Sequence, residues 1–168
     1  MKFEEAKREF IQTWGKLGSE WGINRTMAQV HAILLISPEP LSTEEIMEEL
    51  GISRGNANMN IRELINWNLV SKELLKGERK EYFTAEKDIW EIARRIARER
   101  KKREIEPLMG VLKKLKEVDG DSKKAEIKEF NKMLTQLESF VGKMDKSMDF
   151  LIRSEENWIF NMILKAIK

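Results

Sequence analysis

Residues 50–82, LGISRGNANMNIRELINWNLVSKELLKGERKEY, restrict the fold of this chain more than any other stretch. Gly51 stops the helix before it, as a glycine just past a helix end commonly does. Ser53 caps the next helix, which the periodicity carries to about Trp67. Two short helices joined by a glycine-containing turn make a helix-turn-helix. Within the second, Ala57, Ile61, Leu64 and Ile65 recur at helical spacing and face inward, and small Ala57 lets the helices approach. Arg54, Gly55, Asn56, Asn58, Met59, Asn60 and Arg62 take the remaining positions. Residues 70–75 and 80–84 then read as two strands around Lys76-Gly77-Glu78-Arg79, with Gly77 as the permissive turn residue. Tyr82 and Phe83 fall on opposite faces of the second strand.

The helix 53–67 is rich in amides. Asparagines at 56, 58, 60 and 66 serve a purely structural helix poorly, because Asn favours turns and caps over helix interiors. In the major groove, Asn can pair with adenine and Arg with guanine or phosphate, while a helix N-terminus attracts phosphate. The base-reading residues expected here are Arg54, Asn56, Met59 and Asn60. Ser53 and Arg62 on the helix, with Lys76, Arg79 and Lys80 at the hairpin tip, are expected on the DNA backbone or in the minor groove. The plainer alternatives are a polar helix fitted to its own surface and a solvated hairpin tip.

Helical stripes flank this region. Phe3, Ala6, Phe10, Trp14, Leu17 and Trp21 predict an amphipathic helix over 2–22, too aromatic to face water alone. Gly15, Gly18 and Gly22 lie among them, serving either close packing at a dimer seam or a break. Asn24 or Thr26 caps an apolar helix over 27–36, and its His31 reads as a partly buried structural histidine. Ser42 or Thr43 caps the short helix that follows, and Ser42 with Glu45 makes a capping box. Residues 85–106 form a long basic helix whose cations sit among glutamates, and Pro107 is expected to bend or end it. A short amphipathic stretch, 108–118, leads to a loop at 119–122 that lacks the ligands of a calcium loop. Over 123–153, Ile127, Phe130, Leu134, Leu137, Val141, Met144, Met148 and Leu151 form a heptad-like seam. A further apolar stretch follows at 158–167. The fold class is therefore mainly α, an α+β winged helix with a two-stranded wing and N- and C-terminal dimerisation helices. The expected divisions are 1–24, an N-terminal helix of the dimerisation region, 25–84, the winged helix, and 85–168, the long helix and C-terminal dimerisation region.

Composition removes several alternatives. The absence of Cys excludes disulfides and thiolate metal sites, and one His leaves little for a zinc site or a catalytic triad. No metal, cofactor or enzyme activity is expected, because no nucleophile–base set, phosphate loop or metal motif is visible. The charged N-terminus has no signal-peptide pattern and no apolar run suits a membrane span, so a cytoplasmic protein is expected. The formal net charge of +2 requires that any DNA attraction come from local placement.

The segments FIQTWGKLGSEWGINRTMAQVHAILLISPEPLSTEEIMEELGISRGNANMNIRELINWNLV and KGERKEYFTAEKDIWEIARRIARERKKREIEPL resemble the MarR-like winged-helix regulators, and within them the GbsR branch. The resemblance covers about residues 10–108, with SRGNANMNIREL followed by KGERKEYF as its most specific part. It implies a homodimeric regulator of transcription, often a repressor, with 53–67 as the reading helix and 70–84 as the wing. The alternative is an architectural or protein-interaction winged helix without sequence preference. Control of glycine betaine or choline handling by some members suggests a quaternary ammonium effector. Trp14, Trp21, Trp90 and Trp158 are candidate walls for its pocket by cation–π attraction, against the plainer reading that they are core.

Overall fold

The computed structural model describes residues 1–77, 79–116 and 125–153. Two compact units divide the chain, Met1–Ile92 and Ala93–Lys168.

In the first unit, α1 (Phe3–Glu20) lies along α2 (Arg25–Ile36). The approach is close because α1 carries no side chain at two contact points. A methyl at residue 18 would come 2.5 Å from Ala28 Cβ, and one at residue 15 would come 2.6 Å from Gln29 Cγ. The expectation of a dimer seam or a helix break at these two glycines is therefore corrected. They serve a contact within the chain, and α1 runs through both. Only Gly22 lies past the helix end, with a left-handed φ of 75°. Asn24 then caps α2, its Oδ1 accepting from the Met27 N–H at 3.1 Å.

The buried helix α2 is the post around which the unit is built, with Val30, Ala32, Ile33 and Leu34 almost wholly enclosed. Next come β1 (Leu41–Ser42), α3 (Thr43–Leu50), α4 (Arg54–Asn66), β2 (Val70–Glu73) and β3 (Tyr82–Ala85). Ser42 and Glu45 form the expected capping box at the start of α3, and Gly51 ends it at a φ of 63°. Ile46 of α3 and Ala57, Ile61 and Leu64 of α4 close over the core. His31 is more deeply buried than expected and faces Trp14, with ring centroids 6.2 Å apart.

The sheet has three antiparallel strands in the order β1-β3-β2. Its first strand was not expected. Leu41 and Ser42 pair with Phe83 and Tyr82, which joins the entrance of α3 to the base of the hairpin. The other two strands are shorter than their alternation predicts, because Leu74 and Leu75 leave the ladder and stand exposed. Phe83 is buried and Tyr82 half-buried, as the alternation requires. Beyond β3, Lys87 Nζ donates to the carbonyls of Leu34, Leu35 and Ser37 at 2.6, 2.9 and 2.7 Å. A lysine at the negative end of α2 thus satisfies carbonyls that the helix cannot.

The helix α5 (Ile89–Arg100) spans the division between the units. Its path continues through a π-turn (Lys101–Ile105) into α6 (Glu106–Leu115), so Pro107 neither ends the helix nor stands at its close. The helix end expected at Pro107 is thereby corrected. Pro lacks an N–H and collides with the carbonyl four residues back in a regular α-helix. Here the Glu106 N–H bonds instead to the Lys101 carbonyl, five residues back, and the wider turn receives the ring.

In the second unit, α7 (Ala125–Arg153) packs on the π-turn and α6, with Ile105, Leu112, Leu134 and Val141 at the centre. Lys101 bonds Asp149 and Asp145 at 2.6 and 3.0 Å, and Lys116 pairs with Glu138, so the two paths run antiparallel. The heptad-like seam divides. Leu134, Val141 and Met148 pack inward, whereas Phe130, Leu137 and Met144, joined by Met133 and Phe140, stand exposed. The expected loop at 119–122 and the stretch 158–167 with Trp158 lie outside the described residues.

Candidate nucleic-acid interface

Local chemistry sets α4 in place. Ser53 is its N-cap, the hydroxyl accepting from the Asn56 N–H at 3.3 Å. That bond satisfies one of the first-turn donors and leaves others free for an anion. The apolar side locks the helix onto the core. The opposite side carries Gly55, Met59, Arg62 and Asn66, at the four- and three-residue steps that hold one helix face. With Asn58 and Glu63 they line a shallow groove of about 430 Å³. Met59, 59% exposed, is the large apolar group on that face.

The polar groups around the face are held in defined positions. Thr43 Oγ1 of α3 donates to Asn58 Oδ1 at 3.3 Å. Asn66 Nδ2 and Trp67 Nε1 both donate to Glu63, at 3.2 and 3.0 Å. Arg54 Nη2 bonds Glu44 Oε1 at 2.7 Å. The Arg54 hydrogen bond holds the Glu44 carboxyl below its ordinary range, and Lys80 of the hairpin tip adds to the effect. Glu44 therefore sits between a cation of α4 and a cation of the wing. Sequence reading missed this pairing, although an acid in the first turn of α3 was visible on a wet side that is all glutamate.

Of the expected base-reading residues, Arg54 and Met59 are exposed and Asn56 is half-buried. Asn60 differs: it is 3% exposed, and its Nδ2 is spent on the Asn56 carbonyl and the Asn56 Oδ1. It is enclosed there rather than on the exposed face that the expected reading set called for. Its position between Ala57 and Leu64 on the inward arc carried that signal. Gly55 and Asn66 belong to the exposed face instead, and the same arc would have found them.

Of the expected backbone contacts, Ser53, Arg62, Lys76, Arg79 and Lys80 are all exposed. The Ser53 hydroxyl is already engaged as the cap. Gly77, at a φ of 89°, turns the hairpin tip, and Lys72 pairs with Glu81 across its base. Of the four expected pocket tryptophans, Trp158 lies outside the described residues. Trp14 packs on Phe10 at 5.6 Å between centroids, and Trp21 and Trp90 stand exposed at 58% and 37%. Among the described residues, no cluster of His, Asp and Glu is placed to hold a metal, and no helix is long and apolar enough to cross a membrane.

Residues 21–81, which run from the end of α1 into the wing, match the family model described as MarR family. Two proteins of Bacillus subtilis (strain 168) are similar to the chain, YvaV, named as an HTH-type transcriptional regulator, and OpcR, named as an HTH-type transcriptional repressor. Each is 26% identical over 88 residues, 52% of this chain. The chain spans about half the length of these relatives, 50% and 48%. A solved structure described as a transcriptional regulator shares the fold at a TM-score of 0.66 and 22% identity. That likeness covers 88% of this chain and 97% of the other.

Proposed function

We propose that the chain is a winged-helix protein of the MarR family and a homodimeric, sequence-specific regulator of transcription that reads double-stranded DNA. The observation that carries this reading is α4 itself. Its inner side is fixed to the core, while its outer side offers amides, Met59 and Arg62 beside a basic hairpin tip. In this proposal α4 enters the major groove, with Arg54, Asn56, Met59 and Arg62 toward the bases and nearest phosphates. Lys76, Arg79 and Lys80 take the flanking backbone or the minor groove. The GbsR-branch resemblance of SRGNANMNIREL and KGERKEYF is part of the same proposal.

The outer side of α7 supports the dimer in this reading. Phe130, Met133, Leu137, Phe140 and Met144 form an exposed apolar stripe on one helix, the kind of surface that a partner normally covers. A two-fold pair would offer two copies of α4 to one duplex, about 34 Å apart if they occupy successive turns. Repression by covering a promoter is the mode proposed, in keeping with the repressor name of OpcR. An effector box built from the tryptophans is not part of the proposal, given the exposure of Trp21 and Trp90.

Selection of bound duplexes from a random pool tests the reading, together with the solution mass of the chain. A recurrent motif with two half-sites and a dimer mass is the expected result. Equal binding to the selected duplex and its scrambled counterpart would mark an architectural protein instead. Leu137→Glu with Phe140→Glu should give monomers that lose most of the affinity, because two linked heads act at high effective concentration.

A further inference from the structure

We propose that Asn60 is a positioning residue that turns the Asn56 side-chain amide, so that α4 leads with a hydrogen-bond donor toward DNA at that point. The proposal rests on the reading of α4 as the major-groove element and deepens it.

A backbone carbonyl only accepts. The Asn56 carbonyl lies 2.8 Å from the end of the Asn60 amide, so the group facing it must be the Asn60 NH2. The same nitrogen lies 2.7 Å from the side chain of Asn56. An NH2 group only donates, so Asn56 must answer with Oδ1. Two hydrogen bonds in sequence thus decide which end of the Asn56 amide is turned inward. The Asn56 Nδ2 is the end left over. His31 Nε2 is the one buried side-chain polar atom lacking a partner among the described residues, and Asn56 Nδ2 has no protein partner there, so it is open to solvent.

Asn60 is well suited to hold this arrangement. It is enclosed on the inward arc of α4 beside Ala57, Ile61 and Leu64, where its rotamer has little freedom. An asparagine at a buried helix position carries a propensity cost and a desolvation cost that a leucine would avoid. Orientation of its neighbour accounts for its presence there.

The consequence is chemical selectivity. The paired contact between Asn and adenine needs an acceptor for the N6 amino group and a donor for N7. Asn56 turns its donor outward, while Oδ1 faces Asn60 with one lone pair already engaged. The donor's targets are acceptors on the base edge, such as purine N7, guanine O6 or thymine O4, and an exocyclic amino group gains nothing from it.

The test begins with selected duplexes bound by the wild-type chain and by Asn56→Ala. The base pair whose preference disappears in the variant is the one that Asn56 faces. At that pair, removal of the acceptor, by 7-deaza substitution of a purine or by loss of a carbonyl oxygen, should weaken wild-type binding about fivefold or more. Removal of the exocyclic amino group should leave it unchanged. Asn60→Leu fills the same buried space without the two hydrogen bonds. The freed amide can then turn, and binding should become sensitive to the exocyclic amino group. Melting temperature and non-specific affinity serve as the structural controls for that variant. If deletion of the amino group weakens the wild type as much as deletion of the acceptor, the proposal is overturned, whether or not Asn60→Leu folds. If the wild type has no sequence preference, or Asn56→Ala changes it at no base pair, the reading of α4 itself fails and this inference falls with it.

Discussion

Arg54 Nη2 lies 2.7 Å from Glu44 Oε1, so the first arginine of α4 is already engaged by α3 in the free protein. Both side chains are largely exposed, and such a pair is weak enough for DNA to displace. In the proposed binding mode, Glu44 competes with DNA for Arg54. Glu44→Gln should strengthen non-specific DNA binding by about threefold and steepen its salt dependence by up to about one unit, as one more cation becomes available to phosphate. Titration of a scrambled duplex at several salt concentrations measures both, and an unchanged slope would count against the competition. The carboxyl titrates below its ordinary range, so the pair persists through neutral pH and is lost only as pH falls through that lowered value.

Gly18→Ala should destabilise the first unit. Its new methyl would lie 2.5 Å from Ala28 Cβ, and α1 would have to lift from α2. Overpacking of this kind costs roughly 1–3 kcal/mol, against a helix-propensity gain of up to about 1 kcal/mol. A net loss of about 1–2 kcal/mol in chemical denaturation is expected. Ala28→Gly in the same chain should recover part of it, and full additivity of the two changes would contradict the contact.

His31 gives the fold a dependence on acid. Burial, aided by the charge of Lys87, lowers its pKa to about 4 from an ordinary 6.5. The folded state therefore keeps the ring neutral while the unfolded chain takes up a proton below about pH 6.5. Stability declines as pH drops through that value, and the loss levels off near pH 4, where both states are protonated. The full difference is about 3 kcal/mol. His31→Leu should flatten the decline between roughly pH 7 and pH 4.5. Parallel profiles for the two proteins would show that His31 does not cause it.

Gly55→Ala should separate stability from function. A methyl there meets nothing within 4 Å, and the residue lies in the first turn of α4. Thermal unfolding should show a gain of about 0.5 kcal/mol, because alanine favours the helix. Binding to a selected duplex should weaken by roughly 1 kcal/mol, because the methyl stands on the face proposed to approach the bases. Undiminished affinity would place Gly55 outside the interface.

What could be read from the chain and what could not divide along physical lines. The caps at Asn24, Ser42 and Ser53 and the stop at Gly51 were legible because each depends on residues within a turn of one another. The inward arc of α4 was legible in its apolar members, but the polarity of Asn60 concealed that it shares their position. Leu41 and Ser42 gave no sign of a strand, since their partners lie about forty residues further on, at Tyr82 and Phe83. Gly15 and Gly18 showed that something comes close to α1, but only the fold identifies Ala28 and Gln29 as the neighbours. The four tryptophans suggested a pocket by type alone; Trp158 lies outside the described residues, and of the others Trp14 packs on Phe10 while Trp21 and Trp90 stand exposed.

The π-turn ahead of Pro107 also sets rotational phase. A turn closed five residues back holds about one residue more than an α-turn, so the segment after it is rotated by about 100° relative to an uninterrupted helix. That rotation is what directs Met109 and Leu112 toward Leu134 and Val141. Straightening the hydrogen-bond ladder with every residue kept would swing this pair away from α7 and bring Leu108 and Val111 round in their place, whereas deleting one residue between Lys101 and Ile105 would straighten it and leave the pair facing α7. The first change, which looks like a local repair, would re-index the whole two-helix unit.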